Sequence, residues 1–204
     1  IREARTLGLD KYLADGLVWK SSDYFVKSEL SLSLTYIDSA EQIYQRLNDN
    51  YGEFTCLSSK GMYLFFSNQR EEGLSKVENA FVKMKEIDNI KGMFSCSQNL
   101  VTLYSITGDF AKRMQYANLC LQLAEEQGVW LYMAEAYHYM ADLYNVLNIT
   151  NEGNYYHEKA LEYSRKSGYI YEEMNIIGHL ASIAMKQGEY EKALEYIEQV
   201  KKWD

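Results

Sequence analysis

Residues 176–200 read IIGHLASIAMKQGEYEKALEYIEQV, and their spacing of apolar residues indicates the fold most clearly. Its first half carries an apolar stripe at the three- and four-residue spacing of one helix face: Ile177, Leu180, Ala181 and Ala184. A second stripe follows at Ala193, Ile197 and Val200. Gly188 lies between the two stripes, where glycine is a residue that commonly ends a helix. The stretch therefore predicts two helices joined by a short turn.

The same pattern recurs every forty residues along the whole chain, without an insertion or a deletion. One column of the repeat is mostly small residues: Ala40, Ala80, Cys120, Ala160 and Val200. Columns at a fixed period indicate stacked copies of one structural unit. We predict a single repeat domain over 1–204, with repeats at 11–50, 51–90, 91–130, 131–170 and 171–204.

Turn residues mark both ends of each predicted helix. Between the two helices of a repeat lies the column Ser28, Asn68, Gly108, Asn148 and Gly188. At the other end lie Asn48, Asp88, Gly128 and Gly168. Glycine and asparagine tolerate the left-handed backbone that closes a helix. The predicted fold class is therefore all-α, with about five antiparallel helix hairpins.

Composition excludes several classes of function. The 204 residues carry a net charge of -8 and contain no proline. Nonspecific nucleic-acid binding needs Lys and Arg side chains to displace counterions, so we expect no direct nucleic-acid binding by this domain. The sequence also lacks a long apolar run and a signal-peptide pattern, so we expect no membrane association.

The three cysteines, Cys56, Cys96 and Cys120, lack the spacing of a zinc site. We interpret them as reduced core residues, which favours a cytoplasmic location. The chain begins at Ile1 and ends six residues before a fifth repeat would be complete. We therefore expect it to be a piece of a longer protein.

The pattern resembles the tetratricopeptide repeat (TPR), a helical hairpin with a 34-residue period. The residues of the last repeat quoted above match its large and small positions, although Ala184 replaces the usual aromatic residue. The helix-ending proline of the family would fall at Gln45, Lys85, Glu125 and Arg165, which are all compatible with a helix. The six extra residues per repeat thus predict longer helices. In this the chain is similar to the extended TPR-like domains of bacterial regulators and sensors, including peptide-pheromone receptors.

The resemblance implies a right-handed superhelical solenoid whose first helices line a concave groove. Mapped onto this chain, the polar groove positions would form a ladder of donors and acceptors for an extended peptide. The predicted ligand-binding residues are Ser95, Gln98, Thr102, Glu135, His138, Asp142, Asn145, Asn175 and Ser182. A solvated groove carries polar residues even when it binds nothing, and that alternative stays open.

The leading hypothesis is a non-catalytic module that binds a protein or peptide segment, as the sensor or interaction domain of a bacterial regulatory protein. The alternative is a scaffold or a homo-oligomer that acts through its end faces, with Ile197, Val200 and Trp203 at the carboxyl-terminal one.

We expect no catalytic residues, no cofactor and no metal site. Glu135, His138 and Asp142 share one helix face, but a single histidine without a second cluster is weak support for a metal. His138 and His179 lack a nucleophile beside them, and His157 falls on a core-facing column. A further column, Tyr36, Tyr116, Tyr156 and Tyr196, predicts packing at the seam between repeats.

Overall fold

The structure is a computed structural model that describes residues 9–201. Within this range it contains ten α-helices and no strand. In chain order they are α1 Asp10–Val26, α2 Leu30–Leu47, α3 Asn50–Phe66, α4 Arg70–Glu86, α5 Ile90–Thr107, α6 Phe110–Gln127, α7 Trp130–Val146, α8 Thr150–Ser167, α9 Ile170–Gln187 and α10 Tyr190–Val200. The prediction of an all-α chain with two helices per repeat is confirmed.

A left-handed residue follows every helix from α1 to α9, at intervals of twenty residues. These residues are Ser28, Asn48, Asn68, Asp88, Gly108, Gly128, Asn148, Gly168 and Gly188, with φ between 51° and 80°. Asn48, Gly108, Gly168 and Gly188 are themselves the residues that cap their helices. Both turn columns of the sequence are thus confirmed as backbone geometry.

The helices are longer than those of the shorter repeat, as predicted. Each of α1 to α9 has 17 or 18 residues. Gln45, Lys85, Glu125 and Arg165 all lie inside helices. No proline interrupts the backbone hydrogen bonds at these positions. The second helix of each of these four repeats therefore continues beyond the point where the proline of the shorter repeat would end it.

The described residues pack as two compact units, which we call the N-terminal half and the C-terminal half. The first ends at Phe110 and the second begins at Ala111. In the N-terminal half, α1 packs on α2, α2 on α3, α3 on α4 and α4 on α5. In the C-terminal half, α7 packs on α8, α8 on α9 and α9 on α10. Each half thus contains helices in contact with their sequence neighbours.

Small residues allow a close helix contact in the N-terminal half. Gly61 of α3 and Gly73 of α4 face each other so closely that a Cβ atom on Gly73 would lie 2.5 Å from the carbonyl oxygen of Gly61. The three cysteines are buried and reduced, and each is at most 1% exposed. Their interpretation as core residues is confirmed.

Two tyrosines of the column predicted to lie at the seam between repeats stack on rings of their own hairpin. Tyr36 stacks on Tyr24 with ring centroids 5.2 Å apart, and Tyr156 stacks on Tyr144 at the same distance. Each pair joins the two helices of one repeat. These two stacked pairs lie within a hairpin, and packing of the column at the seam between repeats stays a prediction.

Among the described residues, no helix is long and apolar enough to cross a membrane.

Candidate functional site

The predicted ligand-binding residues lie on the helices that begin the repeats. We call these helices, α1, α3, α5, α7 and α9, the first helices. In the N-terminal half the predicted residues are Ser95, Gln98 and Thr102 on α5. Ser95 is exposed, whereas Gln98 and Thr102 are half-buried. The Thr102 hydroxyl donates to the carbonyl oxygen of Gln98 at 3.2 Å. These side chains follow one face of α5, with their polar atoms near its surface.

Polar contacts join successive first helices within this half. The side-chain amide of Asn99 on α5 donates to the Ser58 hydroxyl on α3 at 3.0 Å. The hydroxyls of Ser21 on α1 and Tyr63 on α3 lie 3.0 Å apart. The partners are separated by about one repeat in sequence. Hydrogen bonds as well as apolar contacts therefore connect successive first helices.

In the C-terminal half, the same kind of contact builds a cluster of ionisable side chains between α7 and α9. His138 Nδ1 lies 3.1 Å from Glu172 Oε1, and both side chains are nearly buried. His179 Nδ1 lies 3.2 Å from Asp142 Oδ1. The His138 and His179 rings are perpendicular, with centroids 4.6 Å apart. Two histidines and two carboxylates thus meet where α7 faces α9.

Asn145 lies on the same helix as this cluster but points to another partner. Its side-chain amide donates to His157 Nε2 at 2.7 Å, across the α7 and α8 hairpin. His157 is only 1% exposed, and burial, together with the nearby His138, lowers its pKa to about 4. His157 is therefore neutral at physiological pH, which agrees with its predicted structural role.

Asp142 and His179 stabilise each other's charged form. Burial by itself raises the pKa of Asp142, but the hydrogen bond from His179 and the nearby histidine charges outweigh it and lower the pKa. The hydrogen bond to Asp142 raises the pKa of His179, although partial burial opposes this. Asp142 is therefore an anion at neutral pH, facing a histidine that holds a proton more tightly than usual.

Two further candidates, Glu135 and Asn175, line one open cavity of about 500 Å³ in the C-terminal half. Its wall also contains Tyr169 and Tyr171, which are 51% and 78% exposed. Ser182 lines a different cavity of about 440 Å³ between α9 and α10, which is mostly apolar. The candidates of this half thus separate into the ionisable cluster and two cavities.

Sequence reasoning missed Glu172 and the pairing of His179 with Asp142. Its metal candidate was taken from one helix and it compared His138 only with His179 across repeats, whereas the carboxylate and histidine partners lie 34 and 37 residues apart along the chain. A signal existed in the period itself, because the Ser58 and Asn99 contact spans 41 residues, the separation between His138 and His179. Pairing each polar residue with those about one repeat later would have found the cluster.

Solved structures of other proteins share this arrangement of helices. A Rap protein complexed with competence and sporulation factor matches with a TM-score of 0.79 over 95% of this chain. The chain has a TPR-like fold. Aspartyl phosphate phosphatase F from Bacillus subtilis matches at 0.72 over 94% of the chain. A signal transduction ATPase from Pyrococcus horikoshii with a TPR sensor matches at 0.70, also over 94%.

These three proteins resemble this chain in fold and hardly in sequence. The sequence identity is 15% for the Rap protein, 15% for the phosphatase and 16% for the ATPase. The chain spans 54%, 60% and 30% of their lengths. No protein-family model and no curated protein sequence matches this chain. The matches therefore show the class of fold and do not identify the binding residues of this chain.

Proposed function

We propose that this TPR-like chain is a non-catalytic module that binds a protein or peptide segment, as the sensor or interaction domain of a regulatory protein. One observation carries the proposal: Glu135 of α7 and Asn175 of α9 line the same open cavity, beside two exposed tyrosines. Two first helices thus contribute polar groups to one concave surface.

The chemistry of this cavity suits a peptide. Asn175 offers both donors and acceptors to a peptide backbone, and a Glu135 carboxylate attracts a cationic side chain. Tyr169 and Tyr171 present large, partly polar rings of the kind enriched in protein interfaces. With a net charge of -8 on the chain, a segment that carries Lys or Arg is the favoured ligand.

The structural relatives support the same class of function. One is a Rap protein in complex with a factor, and another contains a TPR sensor. An enzyme name also occurs among them, but an identity of 15% does not transfer a reaction to this chain. The buried, reduced thiols suit a cytoplasmic location for the module.

The test is a peptide array of random dodecamers, probed with the wild-type chain and with the double variant Glu135→Ala, Asn175→Ala. We expect selective binding of basic, aromatic-containing peptides by the wild type, and at least a tenfold loss in the variant, about 1.4 kcal/mol. Glu195→Ala on α10 is the matched control, because Glu195 is exposed and does not line the cavity. Equal binding by all three proteins would overturn the proposal.

Self-association is the second candidate, favoured by the cavity between α9 and α10. Its apolar wall includes Met185 and Ile197, which are 53% and 38% exposed. Val200 also lines it, whereas Trp203, which we predicted to join this face, lies outside the described residues. Sedimentation at high concentration checks this candidate: a monomer in the wild type, unchanged in Ile197→Asp, would rule it out.

A further inference from the structure

Three potential metal ligands converge in the cluster between α7 and α9. His138 and Asp142 are one helical turn apart on α7, so they share a face, and His179 comes from α9. One ring nitrogen from each histidine and one carboxylate oxygen of Asp142 lie within 4.8 Å of one another. Ligand atoms on one tetrahedral Zn²⁺ are about 3.4 Å apart. Side-chain rotations that move these atoms by about 1 Å would therefore bring all three within bonding distance of one ion.

His138 is oriented as a metal ligand would be. Its Nδ1 faces Glu172, and its Nε2 is buried without a hydrogen-bond partner among the described residues. The side chain is only 8% exposed, so water does not readily satisfy that nitrogen. A carboxylate that accepts from one imidazole nitrogen and leaves the other for the metal is the usual support of a zinc-bound histidine. An unpartnered buried nitrogen is otherwise a cost to the fold.

His179 and Asp142 complete the set from the solvent side. Their side chains are 45% and 30% exposed, so these two ligands can be reached from solvent. Their mutual distance of 3.2 Å is already close to that of two ligands on one ion. His157 is not among the residues whose ligand atoms lie within 4.8 Å of one another, and its Nε2 accepts from Asn145.

We propose that His138, Asp142 and His179 form a binding site for a divalent transition-metal ion such as Zn²⁺, with Glu172 as the group that orients His138. Two imidazoles and one carboxylate suit Zn²⁺ and its neighbours, whereas Mg²⁺ and Ca²⁺ prefer oxygen ligands only. Three protein ligands leave a fourth position open for water or for a group of a bound partner. The proposed metal ligands do not line the proposed peptide cavity, so Zn²⁺ binding is tested separately from peptide binding, although Glu172 lines that cavity as well.

The test is a calorimetric titration of the chelator-treated protein with ZnCl₂. We expect one Zn²⁺ per chain, no competition from Mg²⁺ or Ca²⁺, and a rise in Tm on binding. Glu172→Gln should weaken binding by about 10–100-fold, and His179→Ala or Asp142→Asn by more. Both ligand positions are partly exposed, so these variants should fold, which circular dichroism checks.

Glu195→Ala is the control, since Glu195 is an exposed residue of α10 outside the cluster and outside the cavity. Its Zn²⁺ affinity should equal that of the wild type. Co²⁺ gives a second readout, because its visible absorption should change on binding to the wild type and not to His179→Ala. Absence of saturable binding, or unchanged affinity in both His179→Ala and Asp142→Asn, overturns the proposal.

Discussion

At the scale of single residues, the side chains of Asp49 and Asn89 cap the amino-terminal ends of two helices in the N-terminal half. Asp49 accepts from the Gly52 amide at 3.0 Å to cap α3, and Asn89 accepts from the Gly92 amide at 2.7 Å to cap α5. The two positions are one repeat apart, so they have the same geometry with and without a charge. A hydrogen bond from Lys11 and the Gly52 amide lower the pKa of Asp49.

This pair predicts a cap whose contribution depends on pH. Asp49→Ala and Asn89→Ala should each lower the free energy of unfolding by about 1 kcal/mol at neutral pH. Because the folded pKa of Asp49 is lowered, its ionic contribution is complete above the unfolded pKa and is lost as pH falls through the folded value. Urea unfolding at neutral pH and at about pH 3 should therefore show a smaller cost for Asp49→Ala in acid. If the stability cost of Asn89→Ala decreased in acid by the same amount as that of Asp49→Ala, the charge of Asp49 would not be the cause and the prediction would be contradicted.

Ser28 predicts a second effect at this scale. It is the only serine at a left-handed position among the described residues, with φ 62°. Ser28→Gly should raise the free energy of unfolding by about 0.5–1 kcal/mol, because glycine adopts this backbone without steric strain. Gly108 occupies the same column with φ 79°, and Gly108→Ser should lower stability by a similar amount. Urea denaturation measures both, and shifts of the same sign would refute the explanation.

At the scale of helices, the contact between α3 and α4 depends on the absence of side chains. A Cβ atom on Gly73 would lie 2.5 Å from the Gly61 oxygen and from the Phe65 nitrogen. These are backbone atoms, so the helices themselves would have to move apart. Gly178 on α9 is the opposite case, because a Cβ atom placed there would have no neighbouring atom within 4 Å.

We therefore predict opposite effects of the same substitution. Gly73→Ala should lower the free energy of unfolding by about 1–3 kcal/mol through overpacking. Gly178→Ala should raise it by about 0.5–1 kcal/mol, because alanine favours a helix and meets no atom. Thermal and urea unfolding measure both variants. A stabilising Gly73→Ala would show that the contact between α3 and α4 can relax without cost.

At the scale of the whole molecule, the cysteines report on the packing of both halves. Cys56 and Cys96 lie in the N-terminal half and Cys120 in the C-terminal half. Burial raises the pKa of Cys56 to about 12 and that of Cys96 to about 11, and it also raises the pKa of Cys120. Buried thiols with raised pKa values are poor nucleophiles.

All three thiols should resist a chromogenic disulfide reagent in native buffer and react in strong denaturant. Labelling at intermediate denaturant, read by mass spectrometry, shows whether the two halves open together. Rapid labelling of any cysteine in native buffer would contradict the packing described here.

The sequence by itself determined the helices, their length and their turns. Those features depend on local preferences, such as left-handed glycine at Gly108 and proline-free helix interiors, and they recur with the forty-residue period. Only the tertiary structure decided that His138 meets Glu172 and that His179 meets Asp142. These contacts depend on how far α9 is shifted along α7, which is a property of packing between helices rather than of either helix. The proposed peptide cavity and the proposed metal site both depend on that packing.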